Sequence, residues 1–219
     1  MLEDAAGRAE LQRLGARSLP VLSRGDEFTF AQNIAQVVEF LKLDEKAGPV
    51  LSPAQLVERS LRFIDAARAI VALMPDDKLD TEVPNRPRSY RVVAHHMFRI
   101  QEAFIEVAGG AFFSAGLPAD VRRREDLANT AALCAYGRQV RGQVADWWQR
   151  RGDKSCQEIV ETYYGPQQLH EVQERATWHI AQHCRQWMML LDMAGIAFER
   201  PLGEADFADL PMPKQVWDD

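Results

Sequence analysis

Two histidines, His179 and His183, stand four residues apart in the run "ERATWHIAQHCRQWMMLLDMAGI", residues 174–196. On a helix, positions i and i+4 lie one above the other on one face, so two imidazoles there can grip a single metal ion. Chance also puts such pairs on amphipathic helices, and a third donor is needed to make a site. The adjacent His95 and His96 in "SYRVVAHHMFRIQEAFIEVAG" offer one. Helical neighbours point about 100° apart, so the two cannot both face a core. One of them plus the pair would give three nitrogen ligands with open positions, the arrangement of catalytic zinc centres, built between facing helices. The fifth histidine, His170, precedes His179 by about two and a half turns, too far to join them. Cys184 adjoins His183 on a different face and reads as a core thiol.

The elements that must position these residues are mostly helical. Ser52 and Pro53 cap and open "PAQLVERSLRFIDAARAIVALM". The proline-punctuated "PDDKLDTEVPNRP" leads to the helix of His95 and His96, which Gly109 and Gly110 end. A third helix is expected from about Asp126 to Gln149, and a fourth from about Gln167 to Ala194, stopped by Gly195. Each has one apolar stripe, which predicts a mainly α fold, an up-down-type four-helix bundle. The tail reads as an extended strap packing Leu210, Met212 and Trp217 on the bundle.

Upstream of a break at Gly48, Pro49 and Pro53 the pattern changes. Helix (about 3–14), two short strands around "RGDE" and a second helix (about 31–43) form a small αββα piece. The chain thus divides into 1–47 and 48–219.

Composition narrows the function classes. A net charge of -6 argues against nucleic acid and anionic membrane as partners. The basic "RRRED" at 122–126 reads as a solvated helix start. No apolar run approaches the ~18 residues of a membrane span, and the amino terminus lacks the pattern of a signal peptide. Three cysteines without a C-x-x-C pair suit reduced thiols in a cytoplasm.

The quoted histidine runs, with "YYGPQQLHEV" between them and "LPMPKQVWDD" at the end, resemble the DinB-like family of metal-binding four-helix proteins over about residues 52–219. That resemblance implies an H-x-x-x-H-x-R-Q run on the fourth helix, here His179, His183, Arg185 and Gln186. It also implies a second-helix ligand before "MFRIQEAF", which selects His96. Arg185 and Gln186 would then orient ligands or substrate from behind. The segment "ELQRLGARSLPVLSRGDEFTFAQNIAQVVEFLKL" is similar to the carboxyl half of a glutaredoxin. Gly15 and Pro20 match its cis-proline segment, and Leu19, with Pro20, would contact a thiol such as glutathione. The family's C-x-x-C half is missing, and no cysteine precedes Cys134, so the segment is not a redox enzyme by itself.

The resemblance implies a metal-dependent enzyme that uses a low-molecular-weight thiol, glutathione by preference, for transfer to a small electrophile or for its isomerisation. Zinc is the first choice of divalent ion, with nickel, iron and manganese as others that imidazole accepts. The rival is a non-catalytic stress-response or structural protein whose metal braces the bundle. A closed site with Cys184 as fourth ligand would favour the rival, and an open three-histidine site favours catalysis. The half-glutaredoxin piece would leave a sheet edge unpaired. Either an upstream extension covers that edge, or it is buried by the bundle or by the same edge of a second subunit in a homodimer.

Overall fold

Capping residues set most helix borders. The computed structural model describes residues 4–16, 19–31, 34–44, 48–84, 86–119 and 124–217. These group into two compact units, Met1–Gly48 and Pro49–Asp219.

In the first unit, helix α1 (Ala5–Leu14) precedes strands β1 (Val21–Arg24) and β2 (Glu27–Phe30), and helix α2 (Ile34–Leu41) follows. Asp4 caps α1, and Gly15 ends it at φ 70°, a left-handed value that glycine takes without strain. The strands pair antiparallel around Gly25 and Asp26, with Val21 opposite Phe30. Arg13 ties α1 to that turn through the Asp26 carboxylate and the Gly25 carbonyl. The Leu19–Pro20 peptide is cis, and Leu19 is 44% exposed just ahead of β1.

The second unit is built on four long helices: α3 (Pro53–Val71), α4 (Tyr90–Ala108), α5 (Thr130–Arg150) and α6 (Leu169–Met193). Ser52 and Gln55 cap α3 reciprocally. Ser89 caps α4 and Asn129 caps α5. Glu171 reaches back to the Gln168 amide at 3.1 Å to close the start of α6. The core lies between them, with Phe63 and Ile70 of α3, Met97 and Phe98 of α4, Leu133 and Val140 of α5, and Trp187 of α6 all buried. The Trp187 indole donates to the Ile70 carbonyl at 3.1 Å, so even the polar atom of this ring is satisfied.

Helices α3 and α4 each pack mainly against α5 and α6, and less against each other. This differs from the expected up-down order, in which chain neighbours are also neighbours in space. The long segments 72–89 and 109–129 allow it, because a connection of that length can cross the end of the helices. The third helix also starts later than expected. Residues Arg124–Leu127 form a 3-10 turn, and α5 begins only after the Asn129 cap.

Strands β3 (Ile159–Val160) and β4 (Gln167–Gln168) pair just ahead of α6. The carboxyl-terminal segment includes helix α7 (Glu204–Phe207), a turn of helix within what reads from sequence as an extended strap. Leu210 is buried, and Met212 and Trp217 pack half-buried on the core. Among the described residues no helix is long and apolar enough to cross a membrane.

Candidate metal centre

Helices α4 and α6 face each other, and their contact brings His96, His179 and His183 together. One nitrogen from each lies within 4.8 Å of the other two. The ring centroids are 5.3 Å apart for His96 and His179, 4.8 Å for His96 and His183, and 4.9 Å for the α6 pair. The Nδ1 of His96 is 2.7 Å from the carbonyl oxygen of Pro118. A carbonyl only accepts, so Nδ1 carries the proton and Nε2 keeps a free lone pair, as for histidine ligands held from behind. The Gln186 side chain, one turn on, lies beside the His183 ring and opposes the lowering of its pKa, although neither His183 Nδ1 nor Gln186 Oε1 makes a hydrogen bond of good geometry.

Electrostatics keep all three rings neutral. Burial pushes the His183 imidazole down to about 3, with the neighbouring His96 acting in the same direction. Burial holds His179 well below its ordinary value, and His183, His96, Arg175 and Arg88 add to this. Burial also lowers His96, against its bond to Pro118 and helped by Arg88. No carboxylate is among the influences on these rings. Three neutral imidazoles whose protons are already disfavoured are what a divalent ion of intermediate softness requires.

Cys184 does not join this group. Its sulfur is buried against the Phe63 carbonyl at 3.7 Å, on the α3 side of α6. His95 is buried and stacked on Tyr136 of α5, with centroids 5.2 Å apart. His170 bonds through Nε2 to the Leu51 carbonyl at 2.8 Å. Arg185 turns from the histidines and donates to the carbonyls of Pro213 and Lys214 at 2.7 and 3.2 Å. Gln182 and Gln186 hold the same segment through the Val216 carbonyl at 2.7 and 3.0 Å. Arg185 therefore anchors the carboxyl-terminal strap, whereas Gln186 lies between that strap and His183. Leu19 and Pro20 belong to the other compact unit.

No family model matches the chain, and no curated protein is similar to it at a significant level. A solved structure is similar: the crystal structure of a DinB-like protein from Bacillus cereus ATCC 10987, at 2.01 Å resolution. The TM-score is 0.54 at 15% sequence identity, over 66% of this chain and 93% of that one. The fold is DinB-like.

Two neighbours of this site are missing from the sequence reading. The Pro118 carbonyl leaves no mark in a pattern of side chains. Arg175 does leave one, since it precedes His179 by four residues and shares the face of α6 that carries both ligand candidates.

Proposed function

We propose that the protein is a metal-dependent enzyme that joins a low-molecular-weight thiol, glutathione by preference, to a small electrophile or uses it to isomerise one. The observation that carries this reading is a three-histidine group with no fourth side-chain ligand among the described residues. Three protein ligands leave positions for substrate, whereas a bracing site would be closed. His96, His179 and His183 would hold the ion. When bound, a divalent metal supplies a Lewis acid that lowers the pKa of a thiol.

The chain's own groups do the rest. The Pro118 carbonyl fixes the His96 tautomer, so the nitrogen that faces the group is the unprotonated one. The Gln186 side chain lies beside the His183 ring and would orient it by accepting from Nδ1. Arg88 and Arg175 raise the local positive potential, which favours an anionic sulfur over a neutral one. In the transfer, the thiol proton passes to solvent, the sulfur forms a bond to carbon, and the leaving group departs to solvent as an anion with the electrons of the broken carbon bond.

The finer features of the reading follow the same line. The second unit is taken as a DinB-like four-helix bundle and the first as a glutaredoxin-like fragment supplying thiol contacts at Leu19 and Pro20. Zinc is the proposed ion, the cytoplasm the proposed compartment, and a homodimer the proposed means of covering the β1–β2 edge.

Elemental analysis of untagged protein tests the metal, followed by glutathione consumption with an activated aryl chloride. The expected result is one ion per chain and turnover lost in His179→Ala. An ion retained with no thiol effect on melting and no turnover would favour the bracing reading.

A further inference from the structure

Residues 213–217 lie against α6, and three side chains of that helix hold them by backbone atoms alone. Arg185 donates to the carbonyls of Pro213 and Lys214 at 2.7 and 3.2 Å. Gln182 donates to those of Gln215 and Val216 at 3.1 and 2.7 Å, and Gln186 to that of Val216 at 3.0 Å. The Oε1 of Gln182 accepts from Arg185 at 2.9 Å, so the three side chains and the carbonyls of residues 213–216 form one network. Met212 and Trp217 add apolar contact with the core, and the Arg86 guanidinium lies 4.9 Å from the Trp217 ring.

One end of this network is left for the histidines. An amide has a donor end and an acceptor end, and a carbonyl only accepts. The Val216 carbonyl therefore takes the NH2 end of Gln186, which leaves Oε1 for the His183 ring beside it. An oxygen there accepts from Nδ1 and keeps the lone pair on Nε2, the tautomer that the Pro118 carbonyl selects in His96. With the strap away, the amide is free to turn over. Its NH2 end would then favour the opposite tautomer, whose proton on Nε2 shuts out an ion.

On the reading of the three histidines as a metal centre, we propose that the strap 213–217 is part of that centre. The Val216 carbonyl, acting through Gln186, is a positioning group for His183 and sets the affinity for the ion. Strap docking and ion binding are then coupled, and by linkage each strengthens the other by the same factor. The grip engages backbone and not side chains, so it depends on where the segment runs and not on which residues compose it.

The test measures zinc affinity by chelator competition. It also follows trypsin cleavage after the exposed Lys214, read by intact mass as loss of residues 215–219. Gln182→Met combined with Arg185→Ala releases the strap and leaves the histidines and Gln186 in place. That pair should weaken zinc binding about ten-fold, the low end for a disturbed partner of a ligating histidine. In the wild type, saturating zinc should slow the cleavage by a similar factor, because cutting follows the open fraction. In Gln186→Glu the same pair should change zinc affinity by less than about two-fold, since a carboxylate accepts from Nδ1 whichever way it turns. This comparison separates positioning from a general loosening of the fold, which would weaken zinc in both backgrounds. An equal loss in both, an unchanged affinity on strap release, or cleavage indifferent to zinc would overturn the proposal and leave the metal centre standing. Wild-type protein that holds no zinc would overturn the metal reading and the role of the strap with it.

Discussion

His96 and Arg99 stand three residues apart on α4, yet their surroundings are opposite in kind. Arg99 is buried and fully engaged: it pairs with Glu106 at 2.8 Å and Glu102 at 3.1 Å, and Tyr136 of α5 donates to that same Glu102 at 2.7 Å. His96, His179 and His183 are nearly as enclosed, but among the described residues no carboxylate acts on their rings, and the polar side chain beside His183 is the uncharged Gln186. Buried polar groups are normally paired, because an unmet one costs roughly 1–3 kcal/mol. The Arg99 cluster carries its own counter-charges and fastens helices together, whereas the three neutral imidazoles are gathered with no charge of the chain to answer an ion.

The largest expected effect falls on the histidine cluster. His179→Ala and His183→Ala should each reduce metal content from about one ion per chain to near zero, read by plasma mass spectrometry of the purified protein. The wild type should lose the linkage stabilisation, about 4 kcal/mol at a thousand-fold excess over Kd, when a chelator strips it. His95→Ala should keep the ion, since His95 stacks on Tyr136 and faces away from the group. If His95→Ala releases the ion and His96→Ala keeps it, the assignment on α4 is reversed.

Next comes the Arg99 cluster. Arg99→Ala leaves Glu102, with a side chain only 13% exposed, without its counter-charge. Breaking a buried pair from one side costs about 3 kcal/mol or more. Urea unfolding should show that loss while the ion stays bound; a loss of metal as large as that in His183→Ala would erase the distinction between the two clusters.

What was legible in the sequence follows the same division between side chain and backbone. Ser52 followed by Pro53 announces the start of α3, and the i, i+4 spacing of His179 and His183 announces one face of α6. The residues alone left His95 and His96 open, because periodicity says that one faces inward without saying toward what. His95 in fact faces inward too, against α5, while His96 turns to α6. An apolar stripe likewise says that a helix is covered and not which helix covers it, so the diagonal placement of α3 and α4 lay beyond the pattern. The late start of α5 was hidden by charge-rich residues near 122–126 that carry no apolar period.

Acid should separate the clusters by a smaller margin. The three clustered histidines have depressed folded values, so the unfolded chain binds more protons than the folded one below about 6.5, the ordinary histidine value. Stability is therefore whole above that pH and falls as pH drops below it, down to about 3 where His183 itself titrates. In metal-stripped protein His183 contributes about 1.4 kcal/mol per pH unit in that window. Replacing His183 by glutamine should flatten the slope by about one proton between pH 6 and 4.5. An unchanged slope would mean that the ring is not held neutral by burial.

The smallest effect tests how α4, which carries both clusters, is seated. Gly137 of α5 lies where a Cβ would come within 2.6 Å of the Phe98 ring and 2.9 Å of the Arg68 side chain. Phe98 is fully buried and cannot swing away, so the absence of a side chain at 137 is what lets α5 approach α4 this closely. Gly137→Ala gains about 0.5–1 kcal/mol of helix propensity but meets an overpacking cost of about 1–3 kcal/mol. The expected balance is a net loss of about 1 kcal/mol. Gly142, five residues on in the same helix, is exposed, and a methyl group added there would meet nothing within 4 Å. Gly142→Ala should therefore raise stability by about 0.5–1 kcal/mol, the propensity gain alone. The two substitutions are chemically identical and sit on one helix, so opposite signs in chemical unfolding isolate packing from propensity. Because Phe98 is two residues from His96, Gly137→Ala should also weaken metal binding, while Gly142→Ala should leave it unchanged. Equal signs for both would show that α4 yields to the added methyl, and that its histidine is held by the Pro118 carbonyl and not by the seat of the helix.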